Sequence, residues 1–310
     1  IAIAKDERAF QAANDIIKTY IAIARLNEPG IIADKDTEFL HDYRVSLRKV
    51  RSVLSLFKGI YSEEQTQMLK RAFSDLMSPT GRLRDLDVYL LDRQNYFGLL
   101  PESLHDGLTI MFDIFAVERS DELNTMSAHL KSPAYKKNIN SLEKLFSEPD
   151  TLDAGPNADN SAYLYASMLI WKRYRKVCKI ARAITPATDD SEVHDLRIQC
   201  KKLRYLMEFF SPMYPAKKIK GLIKALKLLQ DNLGLFNDYS VQQDSLQTFL
   251  DTHACKGRKR DLVVARSVGA LIAMLYQKQL EERSRVISNF EKFDSPKIQQ
   301  QFRELFKHDR

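Results

Sequence analysis

Apolar residues recur at three- and four-residue intervals along almost the whole chain, and no stretch shows the strict alternation of a half-buried strand. The pattern predicts a succession of amphipathic helices. The first runs from Lys5 to Leu26 and stops before Pro29-Gly30. The second starts after Asp36 or Thr37 and runs to Lys58, before Gly59. A third spans Glu63 to Met77 and is broken by Ser78-Pro79-Thr80-Gly81. A fourth covers Leu83 to Phe97 and a long fifth Glu102 to His129. Ser132-Pro133 opens a short helix that ends near Phe146. Glu148 to Ser161, rich in Pro, Gly, Asn and Asp, reads as a linker. Beyond it the plan returns: Ala162 to Arg182, Ser191 to Phe210, Lys218 to Leu233, Phe236 to Leu250 and Arg258 to Asp294. A last helix opens at Ser295-Pro296 and runs through Leu305-Phe306.

The return is a repeat in register. His41, Asp42, Arg44, Arg48, Lys49 and Arg51 are answered by His194, Asp195, Arg197, Lys201, Lys202 and Arg204, always 153 residues later. Gly81, Asp85 and Val88 meet Gly234, Asp238 and Val241 at the same offset. The chain is therefore expected to be all-α. Two tandem, pseudo-symmetric helical bundles, residues 1–147 and 162–310, pack around a central basic groove or channel and form one domain.

On a helical wheel with His41 at zero, Arg44, Arg48 and Arg51 fall at about 300°, 340° and 280°, a stripe about 80° wide. His194, Arg197, Lys201 and Arg204 fall at the same angles, and Lys49 and Lys202 lie to one side. Val45, Val50, Val53, Leu54 and Phe57 supply packing on neighbouring faces. Like charges spaced by three and four residues repel, so such a stripe must meet solvent or an anion. Two facing stripes would hold a polyanion by several contacts. Arg82, Arg84, Lys220 and Lys224 could extend the surface, as could the cations between Lys172 and Arg182. Each histidine is either a fixture of its helix start or, protonated, a donor to bound phosphate. Asp85 and Asp238 follow the Gly81 and Gly234 turns, where they cap the next helix or orient a stripe arginine.

The paired His-x-x-Arg-x-x-x-(Lys/Arg)-Lys-x-Arg helices, with the later Leu233-Gly234 to Asp238 segment and its partner Gly81 to Asp85, resemble the conserved histidine α-helical domain family, CHAD. The resemblance covers nearly the whole chain. It implies a helical fold around a basic channel that binds inorganic polyphosphate, often with targeting to polyphosphate granules. The first copy departs from the second in carrying Tyr43 and Ser52 where Leu196 and Tyr205 stand, and Tyr205 joins the expected site. No Glu-x-Glu-x-Lys strand signature accompanies the helices, so the domain is expected to stand alone.

Composition narrows the classes. Forty-eight Lys+Arg against 41 Asp+Glu leave a net charge of +7, which suits an anionic partner. Three cysteines without metal-like spacing read as reduced thiols in a cytoplasmic protein. The longest apolar stretch, Leu262 to Tyr276, is too short for a membrane span and contains Arg266. No cofactor or metal is expected, and nothing in the pattern sets an oligomeric state. The alternative to a binding module is a metal-dependent phosphohydrolase, because two His-Asp dipeptides invite that comparison. Each is followed by arginines that repel a divalent cation, and the remaining histidines show no ligand spacing. Nucleic acid, as a competing polyanion, lacks any recognisable motif here.

Overall fold

The computed structural model describes residues 2–308. Twelve α-helices account for most of them: α1 (Ala9–Ile32), α2 (Thr37–Leu56), α3 (Glu63–Met77), α4 (Gly81–Leu91), α5 (Arg93–Gly98), α6 (His105–Lys131), α7 (Pro133–Ser147), α8 (Ala162–Arg182), α9 (Asp190–Phe210), α10 (Ala216–His253), α11 (Lys259–Phe293) and α12 (Pro296–Phe306). Among the described residues there is no strand, only two isolated backbone bridges, Arg8 to Ser161 and Tyr61 to Ala154. Among the described residues no helix is long and apolar enough to cross a membrane.

Local chemistry sets many of the boundaries. The side chains of Asp36, Ser62, Ser132, Ser161 and Ser295 each accept a backbone N–H two or three residues on, capping α2, α3, α7, α8 and α12. Pro133 and Pro296 occupy first-turn positions, where the missing N–H has no partner to lose.

Two expected breaks, at Pro29 and at Gly234, do not occur. Pro29 lies inside α1, which continues to Ile32. The proline removes one backbone hydrogen bond, but the helix end is clamped by α2. A Cβ on Gly30 would come within 2.3 Å of the Phe39 ring, so only glycine permits this approach. The break expected at Ser78-Pro79-Thr80-Gly81 does occur, as a short 3-10 turn over Ser78–Thr80, and Gly81, with a helical φ of −63°, opens α4. Gly234 lies mid-way along α10, a single 38-residue helix about 57 Å long. Buried Leu229, Leu233 and Phe236 anchor α10 on either side of the glycine. In the other direction, the expected fourth helix is split at Asp92 into α4 and α5.

The helices share two apolar cores. One gathers α1, α2, α3, α7, α8, α9, α12 and the start of α10 around residues such as Phe73, Phe146, Phe210 and Phe302. The other joins α4, α5 and α6 to the far part of α10 and to α11, around Phe112, Phe115 and Leu271. Both draw on residues from either side of segment 148–161. That segment is itself packed as a strap. Gly155 and Asn157 donate backbone N–H groups to the carbonyls of Ile60 and Gly59 at 2.8 and 2.7 Å, and Ser62 donates to Asp153 at 2.9 Å. The strap therefore ties the end of α2 to the start of α8.

Candidate functional site

Helices α2 and α9 carry the two cationic stripes, and their C-terminal ends meet. Phe57 packs on Phe210 with ring centroids 4.7 Å apart, and Tyr20 of α1 packs on Phe209 at 6.2 Å. Each helix buries its apolar side: Leu40, Tyr43, Leu47, Val50 and Val53 on α2, and Val193, Leu196, Cys200, Leu203 and Met207 on α9. Burial of these faces leaves the cations no choice but the remaining side. Beneath α2, the Tyr43 and Tyr135 hydroxyls lie 2.8 Å apart, and Tyr135 donates to Glu28. This places Tyr43, the aromatic peculiar to the first copy, in core packing.

The stripes converge in part. A cavity of about 470 Å³ is bounded by Arg48 of α2, by Arg197, Lys201, Arg204 and Tyr205 of α9, and by α10 from Gln230 to Asp238. Lys201, half-buried, is the lysine of its lining. Burial, then the charges of Arg48, Arg197 and Arg204, push its amine down to about 8, and Asp238 pulls the other way. Its ammonium faces the Tyr205 ring at 5.7 Å, and the Arg204 guanidinium faces the same ring at 5.6 Å. Gln230 Oε1 is buried there without a hydrogen-bond partner, and Arg204 Nε, also without a hydrogen bond, has only the Glu208 carboxylate at 3.5 Å. Unpaired buried polar groups are costly, so their presence at one cavity is informative. Arg44 extends the array one turn away. Its guanidinium donates to Thr80, and burial followed by the Arg48 charge lowers it, with Asp85 opposing and Arg84 adding to the effect.

Other expected site residues are engaged elsewhere. Arg82 is held by Glu118 in a bidentate pair at 2.6 and 2.7 Å. Lys49 lies 4.0 Å from Glu208 and 5.2 Å from the Tyr20 ring. Arg51 points to the Met77 sulfur of α3 at 3.6 Å. Lys202 projects to the opposite side of α9, where burial, Arg173 and Lys176 lower it. Arg84 leaves Nη1 buried without a partner beside Arg44 and Asp87. Lys220 and Lys224 are exposed at the start of α10, upstream of Asp231 on one helical face. The His194 ring packs on Phe236 at 4.8 Å with Nδ1 buried and unpartnered. His41 sits beside Glu38 and Asp42 in the first turn of α2, with potential ligand atoms within 4.8 Å of one another.

Capping by Asp85 and Asp238 is corrected by the structure. Asp85 is the fifth residue of α4 and Asp238 lies deep inside α10, so neither can cap. Asp85 stands beside Arg82 and Arg44, and Asp238 beside Arg197 and Lys201. In each case burial pushes the carboxyl up, and the neighbouring cations draw it back only in part. Gln230, Asp231 and Leu235 also line the cavity although nothing in the repeat singled them out. The signal was the continuous helix: with α10 unbroken at Gly234, positions 231, 234, 235 and 238 share one face.

The described chain is, as a class, an all-helical domain in which Arg48, Arg197, Lys201 and Arg204 border one cavity. The family model of the CHAD domain matches residues 15–247, and the chain belongs to that family. Among solved structures, it is similar to the CHAD domain from the plant Ricinus communis, at 22% identity and a TM-score of 0.74, over 94% of each chain. It is also similar to PptA from Streptomyces chartreusis, at 13% identity and a TM-score of 0.68, over 92% of this chain and 100% of that one. These likenesses define the fold. No curated protein matches the sequence.

Proposed function

We propose that the protein is a non-catalytic binding module for inorganic polyphosphate, and that its two duplicated halves form a basic groove around the α2–α9–α10 cavity. The observation that carries this reading is the meeting of Arg48 with Arg197, Lys201 and Arg204 around one space, where the four cations share the lining with Asp231 and Asp238 and Arg204 alone has an ion-pair partner, Glu208 at 3.5 Å. Arginine forks match phosphoryl oxygens bidentately, and a polyphosphate chain offers such oxygens at every repeat. Arg44 continues the track on one side and Lys224 and Lys220 on the other, so a chain longer than the cavity gains further contacts. Binding at polyphosphate granules follows from the same chemistry, whereas a short anion fills only the centre.

Calorimetry with long-chain polyphosphate tests the reading. The variant Arg48→Ala/Arg197→Ala/Lys201→Ala/Arg204→Ala should lose at least about a hundredfold in affinity, and the wild-type affinity should fall steeply with salt. A second variant, Lys172→Ala/Arg175→Ala/Lys176→Ala/Lys179→Ala, removes as many cations from the exposed face of α8 and should retain most of the affinity. Equal losses in the two variants would reduce the site to general surface charge. RNA of matched charge serves as the competitor. Binding as tight as that of polyphosphate would overturn the specificity.

The phosphohydrolase alternative has one observation in its favour, the Glu38, His41 and Asp42 cluster. The three side chains belong to a single exposed turn and do not line the cavity. Phosphate release from polyphosphate with added Mn²⁺, lost on His41→Ala, would support it.

A further inference from the structure

Lys201 is the one lysine that lines the cavity, and it makes no ion pair among the described residues. Three guanidiniums stand around it: Arg48 from α2, and Arg197 and Arg204 from its own helix one turn to either side. The carboxylates facing the same space are Asp231 and Asp238 of α10. A phosphoryl group seated on the arginines therefore lies against a primary amine. This juxtaposition does more than bind. It presents any compound that joins a phosphate to an electrophilic carbon with both an anchor and a nucleophile.

We propose that Lys201 is a site of acylation by small acyl phosphates, with the phosphoryl group held by Arg48, Arg197 and Arg204. The Nζ lone pair adds to the carbonyl carbon. The tetrahedral intermediate collapses, and the bond from carbon to the bridging oxygen breaks. Inorganic phosphate departs with the electron pair, and the amine proton passes to water. The products are a neutral amide at Lys201 and free phosphate, with no change in oxidation state. The inference rests on the reading that this cavity holds phosphate groups, and it adds a consequence. The amide removes the cavity's only lysine charge and fills part of its space, so acylation weakens polyanion binding.

The electrostatics support the nucleophile. Burial and then the arginines, which stay charged throughout the working range, lower the amine to about 8, and Asp238 opposes them. At pH 7.5 about a quarter of the chains carry a free amine at Lys201, against about one in a thousand for an ordinary lysine. A weaker base is also a weaker nucleophile, so a net rate advantage of about tenfold or more over exposed lysines is expected.

The test uses the whole protein, acetyl phosphate at pH 7.5 and peptide mass spectrometry over time. Lys201 should be acetylated at least about tenfold faster than Lys172, Lys220 and Lys224, which are exposed. Inorganic phosphate should slow Lys201 without slowing the others. Acetic anhydride, which carries no phosphoryl group, provides the second arm: phosphate should slow its reaction at Lys201 markedly less than that of acetyl phosphate. A rate at Lys201 equal to that of the exposed lysines overturns the proposal. Fast reaction that phosphate does not slow also overturns it, since the amine is then reactive without an anchored donor. Calorimetry with polyphosphate on the same sample separates the two readings. Tight polyphosphate binding with an unreactive Lys201 sinks only the acylation. Phosphate-sensitive acylation without polyphosphate binding sinks only the polyphosphate reading.

Discussion

Replacing Lys201 by methionine should make the protein more stable and less able to bind. In the folded chain burial and three arginines push the amine from 10.5 down to about 8. A displacement of that size corresponds to about 3 kcal/mol of unfavourable charge. Lys201 is partly solvated and the arginine fields are screened, so about 1–2 kcal/mol of this should be recovered by an uncharged side chain of similar length. The sign against pH follows from proton counting. At pH 7 and below Lys201 is almost wholly protonated both folded and unfolded, and nearly the whole penalty is present. Between pH 8 and 10.5 the folded chain releases the proton while the unfolded chain keeps it, so wild-type stability rises with pH. Above 10.5 both forms are neutral and the penalty is gone. Urea denaturation of wild type and Lys201→Met at pH 7 and 9.5 measures it. The variant's advantage should be about 1–2 kcal/mol at pH 7, about 2 °C in melting temperature for each kcal/mol, and should shrink by more than half at pH 9.5. Saturating polyphosphate should reverse the order, because it stabilises the form that binds it. A variant no more stable than wild type at pH 7, or an advantage that does not shrink with pH, would refute the electrostatic account of this cavity.

Two other substitutions separate packing from binding. Gly234→Ala adds a methyl group that meets nothing within 4 Å but points along the cavity wall. It should raise stability by about 0.5–1 kcal/mol, as alanine for glycine does inside an exposed helix, while lowering polyphosphate affinity several-fold; paired melting and calorimetry read both, and unchanged affinity would remove Gly234 from the site. Arg119 donates to Asp87 at 2.8 Å and to Asp34 at 2.7 Å, and Asp87 is 2% exposed. Arg119→Ala strands that buried carboxylate and should cost about 3 kcal/mol in urea denaturation, with part recovered by Asp87→Asn in the same chain; a loss below about 1 kcal/mol would show that the pair does not hold α4 to α6.

The features legible in the sequence were those with local causes. Ser62, Ser132, Ser161 and Ser295 satisfy donors within three residues of themselves, so the starts of α3, α7, α8 and α12 fell where the pattern put them. Pro29 and Gly234 were misleading for the complementary reason. Their propensity to interrupt a helix is worth about 1–3 kcal/mol, and distant packing, Gly30 against Phe39 and Phe236 in the core, outweighs it. The misplaced break at Gly234 also hid Gln230 and Asp231, since only an unbroken α10 brings them onto the cavity wall.

The sequence by itself determined that this is a helical chain and that two of its helices carry matched cationic faces, because wheel angle depends only on spacing along one helix. Which of those cations remain free was decided by the tertiary structure. Arg82 is quenched by Glu118 from α6, and Lys49 is drawn towards Glu208 from α9, while Arg48 meets Arg197, Lys201 and Arg204 without a carboxylate close enough to form an ion pair with Arg48, Arg197 or Lys201. A charge is neutralised by whatever lies a few ångströms away in space, and residues 36 or 159 positions apart in the chain become neighbours only when the helices pack.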